Sequence, residues 1–137
     1  MIEVKTSTLT DKDAEFNRGV FATEDIKKGQ LFHIAPVIPY PNVEHILIEE
    51  TVLSDYVYEY GKNHSAVVLG YGMLFNHSFE PNAVYDIDFS THTFKYYAYK
   101  DINAGEEILI NYNGDVDDKE PLWFMKDEKD TTKTETK

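Results

Sequence analysis

Apolar and aromatic residues in this chain come in short runs, with glycine, proline or a polar pair marking a turn about every 8–12 residues. That spacing leaves little room for long packed helices and suits a small, mainly β domain. SDYVYEYG puts Tyr56, Tyr58 and Tyr60 on one face with a period of two. SAVVLG reads as a buried strand, AVYDIDF and TFKYYAYKDI alternate and are rich in aromatics, and EEILINY closes the series. In HIAPVIPYP, Pro36, Pro39 and Pro41 forbid a helix and suit an edge strand or loop. One helix is expected, over VEHILIEETVL, where Val43, Ile46 and Leu47 recur at i, i+3 and i+4. Pattern alone leaves the topology open.

The chain has 137 residues, 42% of them apolar, which is one domain able to bury a core. Residues 1–125 are expected to form that domain. From Lys126 onward KDEKDTTKTETK holds no apolar residue, so 126–137 is expected to be a disordered tail. The balance of 25 acidic against 13 basic side chains gives −12. Phosphate backbones and anionic membranes are poor partners for such a surface, and a lysine-rich peptide is a good one. Cysteine is absent, which excludes disulfides, thiolate zinc sites and a cysteine nucleophile. With no basic-then-apolar leader at its start and no run near the ~20 residues of a membrane span, the chain reads as a soluble intracellular protein.

Three segments carry chemistry. The first is Asn17-Arg18-Gly19-Val20-Phe21-Ala22, which holds the only arginine beside a glycine that permits close backbone approach. Alone it reads as a turn between strands. The second runs from Gly70 to Asn82 and places Asn76, His77 and Ser78 in a row before Pro81-Asn82, directly after an apolar stretch. These side chains suit a turn, a satisfied buried network or a ligand site equally. The third, Gly105-Glu106-Glu107-Ile108-Leu109-Ile110-Asn111-Tyr112, is a turn with two acids feeding a strand that ends in tyrosine. The five histidines lack the spacing of metal ligands, so no metal site is expected.

Together and in this order the three segments resemble the SET-domain protein-lysine methyltransferases. NRGVFA matches that family's Gly-x-Gly segment, FNHSFEPN its Asn-His-Ser…Pro-Asn segment, and YKDINAGEEILINY its closing Gly-Glu-Glu…Tyr segment. The resemblance covers roughly residues 15 to 114. The length is similar to that of small stand-alone members from viruses and bacteria, which lack cysteine-rich zinc flanks. It implies a fold of several small curved sheets and short helices with a knot-like C-terminal crossing, which sets Tyr112 beside Asn76.

The implied reaction is methyl transfer from S-adenosylmethionine to a lysine ε-amine. By the same resemblance Tyr112 is the catalytic residue. Asn17, Arg18, Gly19, Asn76 and His77 bind the cofactor, and Tyr56, Ile110, Trp123 and Phe124 line the lysine channel or close it. Two departures stand out. Asn17 replaces the first motif glycine, and asparagine best keeps a left-handed turn after glycine. The flank NGDVDDKEPLWFM is no zinc segment. Ile110 carries no phenol to hold a water, so di- or trimethylation is expected to be possible. The implied partner is a basic protein, histone-like or otherwise, with no direct nucleic acid or membrane contact; a lone domain of this kind is also expected to be able to dimerise. The alternative is a degenerate SET domain that binds a basic peptide without catalysis.

Overall fold

The structure, a computed structural model, describes residues 1–9, 17–114 and 117. Among the described residues nine strands make two sheets. The first has the order β1 (Ile2–Thr6), β2 (Arg18–Ala22), β9 (Glu107–Ile110), β6 (Asn76–His77). The second runs β4 (Tyr58–Glu59), β5 (His64–Val68), β3 (Leu31–Pro41), β8 (Thr93–Ala98), β7 (Ala83–Asp88). AVYDIDF and TFKYYAYKDI supply β7 and β8, and β8 buries one side: Phe94, Tyr96 and Ala98 face inward while Thr93, Lys95 and Tyr97 do not. The expected mainly β fold is what the chain adopts. Among the described residues no helix is long and apolar enough to cross a membrane.

The core is built on aromatic rings packed edge to face or tilted. Phe75 and Tyr96 lie 4.6 Å apart between centroids, and Phe32 meets Phe75 edge-on at 6.1 Å. Ile26, Ile102, Ile108, Ile110, Val20 and Val68 fill the space around them.

Three expectations need correction. The proline-rich segment is the central strand of its sheet rather than an edge or loop. Its halves pair in turn, Leu31–Pro36 with β8 and Val37–Pro41 with β5. Each proline thus sits where the strand has a ladder on one side only, so the missing N–H breaks nothing. Tyr56 does not continue the tyrosine strand; it follows a 3-10 turn over Val52–Asp55, and only Tyr58 and Glu59 pair with β5.

The helical segment is the third. It breaks into a 3-10 turn at Asn42–Glu44, one α turn, α1 (His45–Glu49), and the 3-10 turn at Val52–Asp55. None of these residues is buried. Val43 is 82% exposed, Ile46 66% and Leu47 71%, so the periodic face meets solvent instead of the core. Polar contacts hold the segment instead. Tyr40 stacks on His45 and bonds its Nδ1 at 2.9 Å, and Ser65 Oγ donates to Asn42 Oδ1 at 2.6 Å.

The feature that builds the site is the parallel pairing of β6 with β9, Asn76 opposite Leu109 and His77 opposite Ile110. Ser78 N–H then donates to Ile110 O, and Asn82 takes the place of a further strand. Its Nδ2 donates to Glu107 O at 2.9 Å and its Oδ1 accepts from Leu109 N–H at 2.8 Å. Ser78 and Asn82 are half-buried at little cost because the strand beside them supplies their partners.

Candidate active site

Tyr112 stands two residues beyond β9, and two hydrogen bonds fasten it to the other motif. Its hydroxyl donates to Phe75 O at 2.7 Å, and its N–H donates to His77 Nδ1 at 2.9 Å. The His77 ring packs 5.1 Å from the Tyr112 ring and edge-on to Phe79. Burial above all, then Tyr56 and Glu107, push the Tyr112 phenol well above its ordinary value of 10. It is therefore a neutral phenol at physiological pH. Its proton is committed to a carbonyl and its lone pairs remain able to accept.

Burial also lowers the His77 pKa below 6.5, so the ring is neutral near pH 7. Because Nδ1 accepts from Tyr112, the ring proton sits on Nε2. That Nε2 is buried and without a partner among the described residues.

Asn76 anchors the other side. Its Nδ2 donates to Arg18 O at 2.9 Å, to Glu107 Oε2 at 2.9 Å and to Ser7 Oγ at 3.1 Å. Arg18 and Gly19 lie in β2, which passes directly over this amide. A Cβ on Gly19 would collide with Glu107 Oε2 and come 2.9 Å from Asn76 Nδ2, so close packing requires the glycine. The Asn17 carbonyl accepts from Ser7 N–H and its Nδ2 donates to Leu9 O at 3.2 Å, tying the two ends of the strand pair together.

Tyrosines surround the catalytic candidate. Tyr56 is near enough to shift the Tyr112 phenol. Tyr58 Oη donates to Gly72 O at 2.7 Å, and Tyr96 Oη donates to Tyr58 Oη at 3.3 Å. Burial first, then Tyr96, Tyr85 and Tyr112, raise the Tyr58 phenol well above 10, and burial followed by Glu59 pushes Tyr85 up to about 12. The Tyr58 and Tyr85 phenols stay protonated. Ile110 is 1% exposed and belongs to the hydrophobic core. Trp123, Phe124 and the 126–137 tail lie outside the described residues.

The structure thus gathers Asn76, His77, Tyr112, Arg18, Gly19 and Tyr56 around one point. The sequence reading passed over Ser7, Thr8, Glu107, Tyr58 and Tyr96. Glu107 looked like a turn acid, but it opens β9 and is only 7% exposed, whereas Glu106 precedes the strand and is exposed. The donor set fits a ligand with an amino-acid end and a base. Asn76 Oδ1 accepts no hydrogen bond among the described residues and matches an ammonium, while His77 Nε2–H matches a ring acceptor. Among the described residues no cluster of His, Asp or Glu is arranged to hold a metal ion.

Comparison with known proteins agrees with this geometry. The SET domain profile matches residues 17–113. A Schizosaccharomyces pombe protein, histone-lysine N-methyltransferase, H3 lysine-37 specific, is 33% identical over 125 residues, covering 90% of this chain and 81% of that protein. The crystal structure of a candidate histone methyltransferase from Plasmodium falciparum superposes with a TM-score of 0.65 at 36% identity, over 90% of this chain and 96% of the other. Chaetomium thermophilum Polycomb repressive complex 2, in an autoinhibited conformation bound to S-adenosylmethionine, gives a TM-score of 0.67. At 23% identity, over 81% of this chain and 15% of that one, this last likeness speaks to the fold alone.

Proposed function

This chain belongs to the SET-domain family and is a protein-lysine methyltransferase, and we propose that it methylates a lysine of a basic, histone-like protein with Tyr112 as the catalytic residue. The observation that carries the assignment of Tyr112 is its double attachment, by hydroxyl and by backbone, to Phe75 and His77.

When bound, S-adenosylmethionine supplies the methyl group and the sulfonium that makes it transferable. In our reading Asn76 Oδ1 and the Arg18–Gly19 backbone hold its amino-acid end, and His77 and its neighbours hold the base. The lysine amine must arrive without its proton, against a free pKa of about 10.4. Burial of the amine beside the Tyr58 and Tyr112 phenols would lower that value by desolvation. A neutral Tyr112 is no base here. With its proton given to Phe75 O, its lone pairs accept from the amine N–H and aim the nitrogen lone pair at the methyl carbon. The amine would give up its proton to water before transfer, and the bound cofactor would supply the methyl carbon toward which Tyr112 holds the nitrogen lone pair. Alignment is the chief service of the site.

Tyr56 and Tyr58 line the lysine stem in this account. Ile110 offers no hydroxyl to retain a water near the amine, which favours more than one methyl group. The acidic surface, −12 overall, supports a basic substrate. The relative named for histone H3 makes that histone the first substrate to try, and with it a nuclear place of action. The test is methyl incorporation from labelled S-adenosylmethionine into a lysine-peptide array that includes histone tails. Labelling of basic, lysine-bearing peptides supports the substrate class; labelling confined to acidic or neutral peptides overturns it.

A further inference from the structure

Asn76 carries the amino-acid end of the ligand in the reading above, and the inference here rests on that reading. An asparagine amide can present either its oxygen or its NH2 group to a ligand, so something must choose. Around Asn76 the choice is made by acceptors. Arg18 O and Glu107 Oε2 accept only, and both lie 2.9 Å from the same amide atom, which must therefore be the NH2. Oδ1 is left pointing to the remaining side.

Glu107 is held for this task by the turn that follows β1. Ser7 Oγ donates to both carboxylate oxygens, at 3.0 and 2.9 Å. Thr8 donates to Oε1 twice, from its N–H at 2.9 Å and its hydroxyl at 2.7 Å. Ser7 Oγ in turn accepts from Leu9 N–H and from Asn76 Nδ2. Every partner of the buried carboxylate is a donor, which suits an acceptor-only group and no amide. The same carboxylate fills the space above residue 19, so it is also what demands glycine there.

We propose that Glu107, clamped by Ser7 and Thr8, is a positioning residue that keeps Asn76 Oδ1 turned toward the α-ammonium of the cofactor, and that the turn after β1 is thereby part of the cofactor site. Glu107→Gln puts an NH2 against either the Asn76 amide or the Thr8 donors and removes the preference. Ser7→Ala loosens the clamp while leaving Glu107 in place.

The test is calorimetric titration of the full chain with S-adenosylhomocysteine and with its desamino analogue, which differs only by the missing ammonium. The wild type is expected to prefer the amino compound by about tenfold or more, the worth of a charge-assisted hydrogen bond. In Glu107→Gln and Ser7→Ala that preference falls to within about threefold, while affinity for the desamino compound changes less than about twofold. A general loss of structure would weaken both ligands alike, so an equal loss overturns the inference, as does a preference that survives both substitutions. Ser7→Ala decides the matter if Glu107→Gln does not fold. A folded wild type that binds neither compound overturns instead the cofactor reading of Asn76.

Discussion

At the scale of single residues, the site works by assigning each polar atom one partner and leaving the reactive ones with a lone pair or proton to spare. Tyr112→Phe keeps the ring against His77 but loses the bond to Phe75 O and the acceptor for the amine. Methyl transfer is expected to fall about 10²- to 10³-fold, in the range lost with one transition-state hydrogen bond, with cofactor affinity within about threefold of wild type. Parallel activity and binding measurements check this, and an equal loss in both would contradict it. His77 gives a second prediction. Its folded pKa is lowered, so the unfolded chain takes up the proton first, and the ring's contribution to stability falls as pH drops through the window below 6.5. Proton NMR titration should find a His77 pKa under 6.5; a value at or above it would remove the buried neutral ring from the account. Gly19→Ala forces a methyl against Glu107 and Asn76 and is expected to weaken cofactor binding at least about tenfold and cost about 1–3 kcal/mol of stability, read by calorimetry and denaturant titration. Asn76, His77 and Tyr112 could be picked out of the sequence because they carry motif chemistry on adjacent or spaced positions. Ser7, Thr8 and Glu107 could not, because a hydrogen bond between residues 100 positions apart leaves no local trace.

At the scale of elements, β strands were legible wherever one face is buried, since burial imposes a period of two. β8 follows that rule from end to end, with every second residue buried. The helix failed the converse test. Val43, Ile46 and Leu47 have helical spacing, but periodicity reports a face only if that face is covered, and here it is not. Ile46→Ser and Leu47→Ser are accordingly expected to change stability by less than about 0.5 kcal/mol each, as exposed substitutions do. Phe94→Ala, in the middle of the aromatic core, is expected to cost about 3–5 kcal/mol. Denaturant titration of the three variants decides it, and a helix substitution as costly as the core one would mean that the segment is covered. The prolines of β3 misled for a different reason: the handover between β8 and β5 depends on long-range pairing that no local pattern encodes.

At the scale of the molecule, two segments over thirty positions apart run parallel, β6 beside β9, and this single pairing brings the motifs into contact. Residue patterns marked β9 but left the Asn76–His77 segment open between a turn, a buried network and a ligand site, and the crossing itself was available only through resemblance to a family. The charge of −12 was legible at once, and its consequence is electrostatic. Raising ionic strength should raise the KM for a lysine-rich substrate several-fold and leave that for cofactor nearly unchanged, because exposed attractions are screened within about 10 Å at 0.1 M salt. A KM indifferent to salt would separate acidity from substrate choice. The most direct test of the central claim joins chemistry to geometry in one assay, with wild type and Tyr112→Phe each incubated with labelled S-adenosylmethionine and histone H3. The account predicts labelled lysine with the wild type and a loss of at least about 100-fold in a variant that still binds the cofactor. Labelling at the wild-type rate by Tyr112→Phe would contradict it.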